Sequence, residues 1–142
     1  MSTTRTATTR WEGSLFEGSG RVSMVSSGVG EFDVTWPSRA EEPAGRTSPE
    51  ELIAAAHSSC FSMALSNGLA KAGTPPTSLD TTAEVTFQPG TGITGIHLTV
   101  VGDVPGMSAD DFTAAAEDAK ANCPVSQALA GTTITLSASL AG

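Results

Sequence analysis

Residues 48–65 read SPEELIAAAHSSCFSMAL, and this stretch decides the architecture of the chain. It opens with a Ser-x-x-Glu capping box and a proline at the first helical position, which predicts a helix start. The helix is expected to run to about Lys71, because Gly73 and the following Pro75-Pro76 prevent its continuation. Leu52–Leu65 is small or apolar at almost every position, which is typical of a helix buried on all sides. In a chain this short, such burial predicts a second copy.

Patterns of strand and helix fill the rest of the chain. Residues 9–36 alternate and are broken by glycine turns, which predicts three short antiparallel strands. A polar, proline-bearing loop then begins at Pro37. Two longer strand-like stretches follow, LDTTAEVTFQ and GITGIHLTVVGDV, and then a helix after Ser108, a short helical pattern in CPVSQAL and a final strand in TTITLSASL. This order predicts one α+β domain over residues 1–142 with antiparallel sheets and with residues 1–8 frayed.

Composition and charge narrow the range of possible partners and functions. The formal net charge is -8, with only seven lysines and arginines, which argues against nucleic acid and anionic membranes as partners. No apolar run approaches the ~18 residues that span a bilayer, and the first residues lack the apolar segment of a secretory signal. We therefore expect a cytoplasmic protein. In a reducing compartment, cysteines are more often catalytic, metal-binding or buried than joined in a permanent disulfide.

The chain has two cysteines, Cys60 in the predicted long helix and Cys123 in ANCPVSQAL. A single cysteine on an apolar helix would be an ordinary core residue. Cys123, however, precedes a proline at a predicted helix start, a place that Ser, Thr, Asp or Asn normally occupies. The free N–H groups and the partial positive charge of a helix start favour thiolate over thiol. The two cysteines together therefore suggest a reactive thiol and a resolving thiol.

A metal site is an alternative use of the same residues. His57 and Cys60 are three residues apart on one helix face, and His97 with Cys123 would complete a Cys/His tetrahedron. The chain has no CxxC or HxxxH spacing, however, and structural zinc sites usually show paired ligands. His57 by itself is expected to be a core histidine.

Two charged residues bear on the thiol. Glu50 precedes Cys60 by ten residues, which is roughly 15 Å along a straight helix. Glu50 and Cys60 can therefore share a site only if they come from different chains, and a solvated acid in the first helical turn is the alternative. A reactive thiolate also needs a fixed cation, and arginine stays charged at any working pH. Nothing local distinguishes Arg39 from Arg46 for this task.

The motifs SPEELIAAAHSSCFSMAL and AKANCPVSQAL closely resemble the OsmC/Ohr family of thiol peroxidases, on its OsmC (osmotically inducible protein C) branch. WEGSLFEGSGRVS, TPPTSLDTTAEV and TITLSASL extend this resemblance over nearly the whole chain from Trp11 onward. His57 lies where the Ohr branch usually has a tyrosine, which favours the OsmC side. The resemblance implies an OsmC-like α+β fold with two long central helices, in an intertwined homodimer with active sites at the subunit interface.

The resemblance also implies roles for four residues. Cys60 matches the reactive cysteine, Cys123 the resolving cysteine, Arg39 in WPSRAEE the essential arginine and Glu50 in SPEEL the glutamate. The implied activity is a hydroperoxide reductase that reduces organic hydroperoxides and hydrogen peroxide in oxidative or osmotic stress defence. It would proceed through a Cys60 sulfenic acid and a Cys60–Cys123 disulfide, which an external lipoyl- or thioredoxin-like dithiol reduces. No metal, flavin or haem is expected.

The sequence leaves two further questions open, one about a substrate pocket and one about the class of protein. The apolar residues around Cys60 are candidates for lining a pocket for alkyl groups, with core packing as the alternative: Leu52, Ile53, Phe61 and Met63. The rival class is a non-enzymatic dimeric stress or binding protein whose cysteines are structural or bind zinc.

Overall fold

Three antiparallel strands open the chain in the computed structural model, which describes residues 1–142. As predicted, they are short and adjacent in sequence: β1 (Thr8–Glu12), β2 (Ser19–Ser23) and β3 (Glu31–Val34). The indole of Trp11 lies across Gly20, where an added Cβ would come within 2.7 Å of the ring, so this position requires glycine. Thr6 is hydrogen-bonded to Ser26, and pairing therefore reaches into the segment that was expected to be frayed.

A short helix, α1 (Trp36–Ala40), occupies the start of the predicted polar loop. Thr35 and Ser38 form a reciprocal capping box, with side-chain to backbone distances of 3.1 and 3.0 Å. The loop prediction was wrong here because the Thr-x-x-Ser signal, with Pro37 within the first helical turn, directly follows a strand and was not interpreted as a cap. The Ser38 hydroxyl also donates to the carbonyl of Thr47, which attaches α1 to the chain just before the next helix.

The long helix α2 (Pro49–Lys71) has the predicted bounds. Ser48 Oγ accepts the Glu51 N–H at 3.1 Å, which is one half of the predicted capping box. The Glu51 carboxylate instead accepts the Thr47 hydroxyl, so the other half is absent. At the far end Gly73 has a φ of 87°, a left-handed conformation that glycine adopts without strain and that ends the helix.

The second half of the chain forms a mixed sheet with helices. Its elements are β4 (Ser78–Gln88), β5 (Gly92–Asp103), α3 (Ala109–Asn122), α4 (Pro124–Ala128) and β6 (Ile134–Leu140). β4 and β5 form an antiparallel hairpin, but β5 and β6 are parallel. The prediction of antiparallel sheets was therefore wrong for this pair. The helices between β5 and β6 return the chain to the end of the sheet where β5 began, and such a crossover joins parallel neighbours.

The core of this second half lies between α2, the sheet and α3. Its members are large or small apolar side chains with little or no exposure: Phe61, Leu65, Leu69, Leu98, Val100, Phe112, Ala116 and Ala119. Phe112 lies against Gly102, where a Cβ would approach its ring to 2.6 Å. The chain divides into two compact units, Met1–Leu52 and Ile53–Gly142. That residues 1–142 form one domain stays a prediction.

The long helix is not buried on all sides within one chain. Its core-facing positions are covered, whereas another face is open to solvent at Ala55, Ala56, Ser59, Met63 and Asn67. Met63 alone is 72% exposed, which is unusual for a large apolar side chain on a helix of mostly small residues. None of the helices combines the length and the apolar character needed to cross a membrane.

Candidate active site

The two cysteines meet although sixty-three residues separate them in sequence. The Sγ atoms of Cys60 and Cys123 are 2.9 Å apart, and both thiols are free. Cys60 lies in the middle of α2 and is partly accessible, whereas Cys123 connects α3 to α4 and is completely buried. A disulfide has an S–S distance of about 2.0 Å, so closing this pair requires the sulfurs to approach by about 0.9 Å. The pair is therefore positioned for reversible disulfide formation.

The Cys60 thiol lies in an environment that disfavours the thiolate. Burial raises the pKa of Cys60 most and the adjacent Cys123 raises it further, whereas a backbone hydrogen bond from Val125 at the start of α4 acts in the opposite direction. The Cys123 side chain itself makes no capping hydrogen bond to α4. Neither Lys71 nor Lys120, the cations of this second unit, offsets the rise. The pKa of the Cys60 thiol is thus raised by its surroundings within residues 53–142.

Arg39 and Glu50 form a bidentate ion pair in the first unit. Arg39 Nε lies 3.0 and 3.2 Å from the two Glu50 carboxylate oxygens, and Nη2 lies 2.8 Å from Oε2. The Glu50 side chain is 8% exposed and the Arg39 side chain 30%, so the carboxylate is the buried partner. Bidentate pairs of this kind fix the plane of the guanidinium as well as its position. Arg39 is thus held rigidly with part of its surface open.

Local structure explains why Arg39 and not Arg46 has this place. The bond from Ser38 to Thr47 brings α1 against the segment before α2, which aligns Arg39 with Glu50 in the first turn of that helix. Arg46 lies in the exposed loop between the two helices. The remaining ion-paired arginines, Arg10 and Arg21, contact exposed carboxylates on the first sheet. This distinction was not visible in the sequence.

The histidines have separate environments, contrary to the metal alternative. His57 is fully buried, as expected of a core histidine, and its Nε2 lies 2.7 Å from Ser126 Oγ. His97 is on β5, where its ring bonds Thr135 and Ser137 of β6. No three of His57, Cys60, His97 and Cys123 gather into a metal-binding group.

The residues considered for an alkyl pocket around Cys60 lie in different environments. Phe61 is in the core, and Met63 is on the surface. Leu52 instead lines a cavity of about 470 Å³ in the first unit, next to Arg39. Aromatic and branched side chains form most of its wall: Trp11, Leu15, Val22, Val34 and Trp36. The sequence contained these residues in strands without indicating that they enclose a space.

Taken together, the α+β fold, the two free thiols in contact and the fixed arginine define a small thiol redox protein with one accessible and one buried cysteine. Comparison with known proteins agrees with this class. The family model described as OsmC-like protein matches residues 42–137. The chain is 47% identical over 122 residues to Peroxiredoxin OsmC of Escherichia coli (strain K12), covering 84% of this chain and 85% of that protein. The chain therefore belongs to the OsmC family, which confirms the resemblance.

Solved structures agree on the fold. An organic hydroperoxide resistance protein OsmC from Legionella pneumophila superposes with a TM-score of 0.74 at 25% identity, over 97% of this chain and 99% of that one. An organic hydroperoxide resistance protein from Elizabethkingia anophelis, with thiocyanate bound, gives 0.73 at 27% identity, over 99% and 100% of the two chains. The predicted α+β, OsmC-like class is thus confirmed.

Proposed function

We propose that this chain is a thiol-dependent peroxidase that reduces organic hydroperoxides, and hydrogen peroxide as well, in oxidative or osmotic stress defence. The observation that carries the proposal is the partly accessible Cys60 sulfur, 2.9 Å from the buried Cys123 sulfur. Membership of the OsmC family supports the peroxidase class, since the curated relatives are named Peroxiredoxin OsmC. The structurally similar organic hydroperoxide resistance proteins support organic hydroperoxides as substrates.

In the first step the Cys60 thiolate attacks the distal oxygen of the hydroperoxide. An S–O bond forms, the O–O bond breaks, and the alkoxide leaves as the alcohol after taking up a proton. The sulfur is oxidised to a sulfenic acid and the peroxide is reduced. Cys60 suits this role because its sulfur is the accessible one of the pair, whereas Cys123 is buried.

In the second step the Cys123 sulfur attacks the Cys60 sulfenic acid. An S–S bond forms, the S–O bond breaks, and the oxygen leaves as water. Burial of Cys123 keeps it away from peroxide, while its contact with Cys60 makes it the nearest nucleophile. An external dithiol of lipoyl or thioredoxin type then reduces the disulfide and restores both thiols. The cycle requires no metal, flavin or haem, and a reducing compartment such as the cytoplasm would keep the thiols ready.

The cation comes from Arg39 of a second copy of the chain. Because α2 is unbroken from Glu50 to Cys60, their separation of ten positions corresponds to roughly 15 Å of rise. Arg39 is bound to Glu50, and a homodimer would bring this pair to the partner's thiol. The solvent-open face of α2, with Met63 72% exposed, supports such a contact. There Arg39 would stabilise the thiolate and the charge developing on the peroxide oxygens.

The alkyl group of the substrate would occupy the apolar cavity beside Arg39. Its volume of about 470 Å³ lies within the range of small-molecule sites, and its walls are aromatic and branched. An organic hydroperoxide would gain from burying its alkyl group there, whereas hydrogen peroxide has no such group. We therefore expect organic hydroperoxides to react faster.

Single-turnover experiments on Cys123→Ser and Cys60→Ser test the proposal. Cys123→Ser should reduce about one equivalent of peroxide per site and stop as a sulfenic acid that dimedone traps, since the first step needs only Cys60. Cys60→Ser should be inactive but folded, because serine is a far weaker nucleophile at neutral pH. Wild type should form an intrachain disulfide. Loss of the first equivalent in Cys123→Ser, with Cys60→Ser still reacting, would reverse the roles, and unchanged multiple turnover would make Cys123 structural.

A further inference from the structure

One buried polar contact beside the thiols has no role in the two steps above. His57 has no exposed surface and Ser126 is 4% exposed, and their side chains are 2.7 Å apart. His57 Nδ1 is also buried and makes no hydrogen bond within the chain. The contact with Ser126 is therefore the one polar anchor that this ring has in the chain.

The contact repeats the spacing of the thiol pair. His57 precedes Cys60 by three residues on α2, and Ser126 follows Cys123 by three residues at the first turn of α4. Residues three apart lie on the same face of a helix. Two parallel connections consequently join α2 to the start of α4, one between the sulfurs and one between the imidazole and the hydroxyl.

The short helix needs such an anchor. α4 has only five residues, and a helix of this length is unstable unless other parts of the protein hold it. The Cys123 side chain makes no capping hydrogen bond that would help. Bonding between the reduced sulfurs is weak, since a thiol is a poor donor and a poor acceptor. The contact between His57 and Ser126 is thus the stronger of the two side-chain connections.

We propose that His57 and Ser126 are positioning residues for the resolving step, which hold the start of α4 on α2 so that Cys123 stays beside Cys60. This inference rests on the proposed function, in which Cys123 attacks the oxidised Cys60. Oxidation of Cys60 removes the contact between the two thiols, whereas the His57–Ser126 contact involves neither sulfur. It therefore keeps the resolving sulfur in place at the stage when it must react.

The test compares Ser126→Ala with Ser62→Ala in the full-length protein. The control removes a hydroxyl that joins α2 to Thr81 of β4 at the same distance of 2.7 Å, close to Cys60 in sequence. Reduced protein receives one equivalent of tert-butyl hydroperoxide and is quenched at intervals with dimedone and with a thiol-alkylating reagent. Ser126→Ala should form the sulfenic acid at the wild-type rate and close the disulfide about tenfold more slowly, a change of about 1.4 kcal/mol in the barrier.

The reduction potential of the Cys60–Cys123 disulfide supplies a second measurement that uses no peroxide. A tenfold loss of effective concentration of Cys123 should make the potential about 30 mV more positive in Ser126→Ala. Ser62→Ala should change neither the rate of disulfide closure nor the reduction potential. His57→Gln, whose terminal amide can either donate to the Ser126 hydroxyl or accept from it in place of Nε2, should remain near wild type in both the rate of disulfide closure and the reduction potential.

Each outcome bears on the proposal. Wild-type closure and potential in Ser126→Ala, or equal changes in Ser62→Ala, would overturn it. A loss in His57→Gln as large as that in Ser126→Ala would assign the effect to ring packing and overturn it as well. Failure of the peroxidase proposal is distinguishable, because wild type would then form no disulfide with peroxide, while the potentials of the variants would still be measurable.

Discussion

Replacing Glu50 by glutamine should slow the oxidation of Cys60 although the two residues are far apart on α2. The carboxylate accepts three close N–H contacts from Arg39, at 2.8 to 3.2 Å. A glutamine offers one oxygen and turns an N–H₂ group towards the guanidinium, so one charge-assisted bond is lost. Such a bond is worth about 1.5–3 kcal/mol, and the lower end applies because Arg39 is 30% exposed. The expected slowing is about tenfold to thirtyfold.

The assay is stopped-flow measurement of the second-order rate constant for thiol oxidation by an organic hydroperoxide. Glu51→Gln is the matched control, since Glu51 is the adjacent residue, is exposed, and its carboxylate accepts the Thr47 hydroxyl rather than an arginine. It should alter the rate by no more than about a factor of two, as surface substitutions generally do. Equal effects of the two substitutions, or an unchanged rate in Glu50→Gln, would refute the positioning of Arg39 by Glu50.

Other substitutions test the cation, the buried histidine and the two faces of α2. Arg39→Ala should slow Cys60 oxidation by about a hundredfold or more, whereas Arg46→Ala should be nearly neutral; comparable losses in both would show that the wrong arginine is assigned. Burial lowers the pKa of His57 below its ordinary value, so the unfolded state binds more protons and wild type should lose stability relative to His57→Gln as the pH falls below about 6.5. If urea unfolding gave the same change in the free energy of unfolding for the two proteins between pH 7 and pH 5, the prediction would be contradicted. Phe61→Ala should lower the free energy of unfolding by about 3–5 kcal/mol, because the ring is fully buried. Met63→Glu should dissociate the proposed homodimer in sedimentation equilibrium without unfolding the chain, and an unchanged mass would contradict an interface at Met63.

Local signals in the sequence predicted most elements correctly. The bounds of α2, the start of α3 after Ser108 and the β4–β5 hairpin all agree with the structure. These features depend on caps, prolines, glycines and side-chain periodicity within a few residues. The same kind of signal was present at Thr35 and Ser38, but it was not interpreted, and α1 was predicted as a loop. The parallel β6 could not be found locally, because alternation shows which face is buried and says nothing about strand direction.

The sequence by itself determined the strands, every helix except α1, the family and the four candidate residues, whose catalytic roles remain predictions. Only the tertiary structure decided that Cys60 and Cys123 lie 2.9 Å apart, that Arg39 is the arginine bound to Glu50, and that His57 meets Ser126. The physical reason is the range of the interactions. A cap or an apolar period is set by neighbours along the chain, whereas these contacts join residues up to sixty-nine positions apart. Their formation depends on how whole elements pack, which no short stretch of sequence contains.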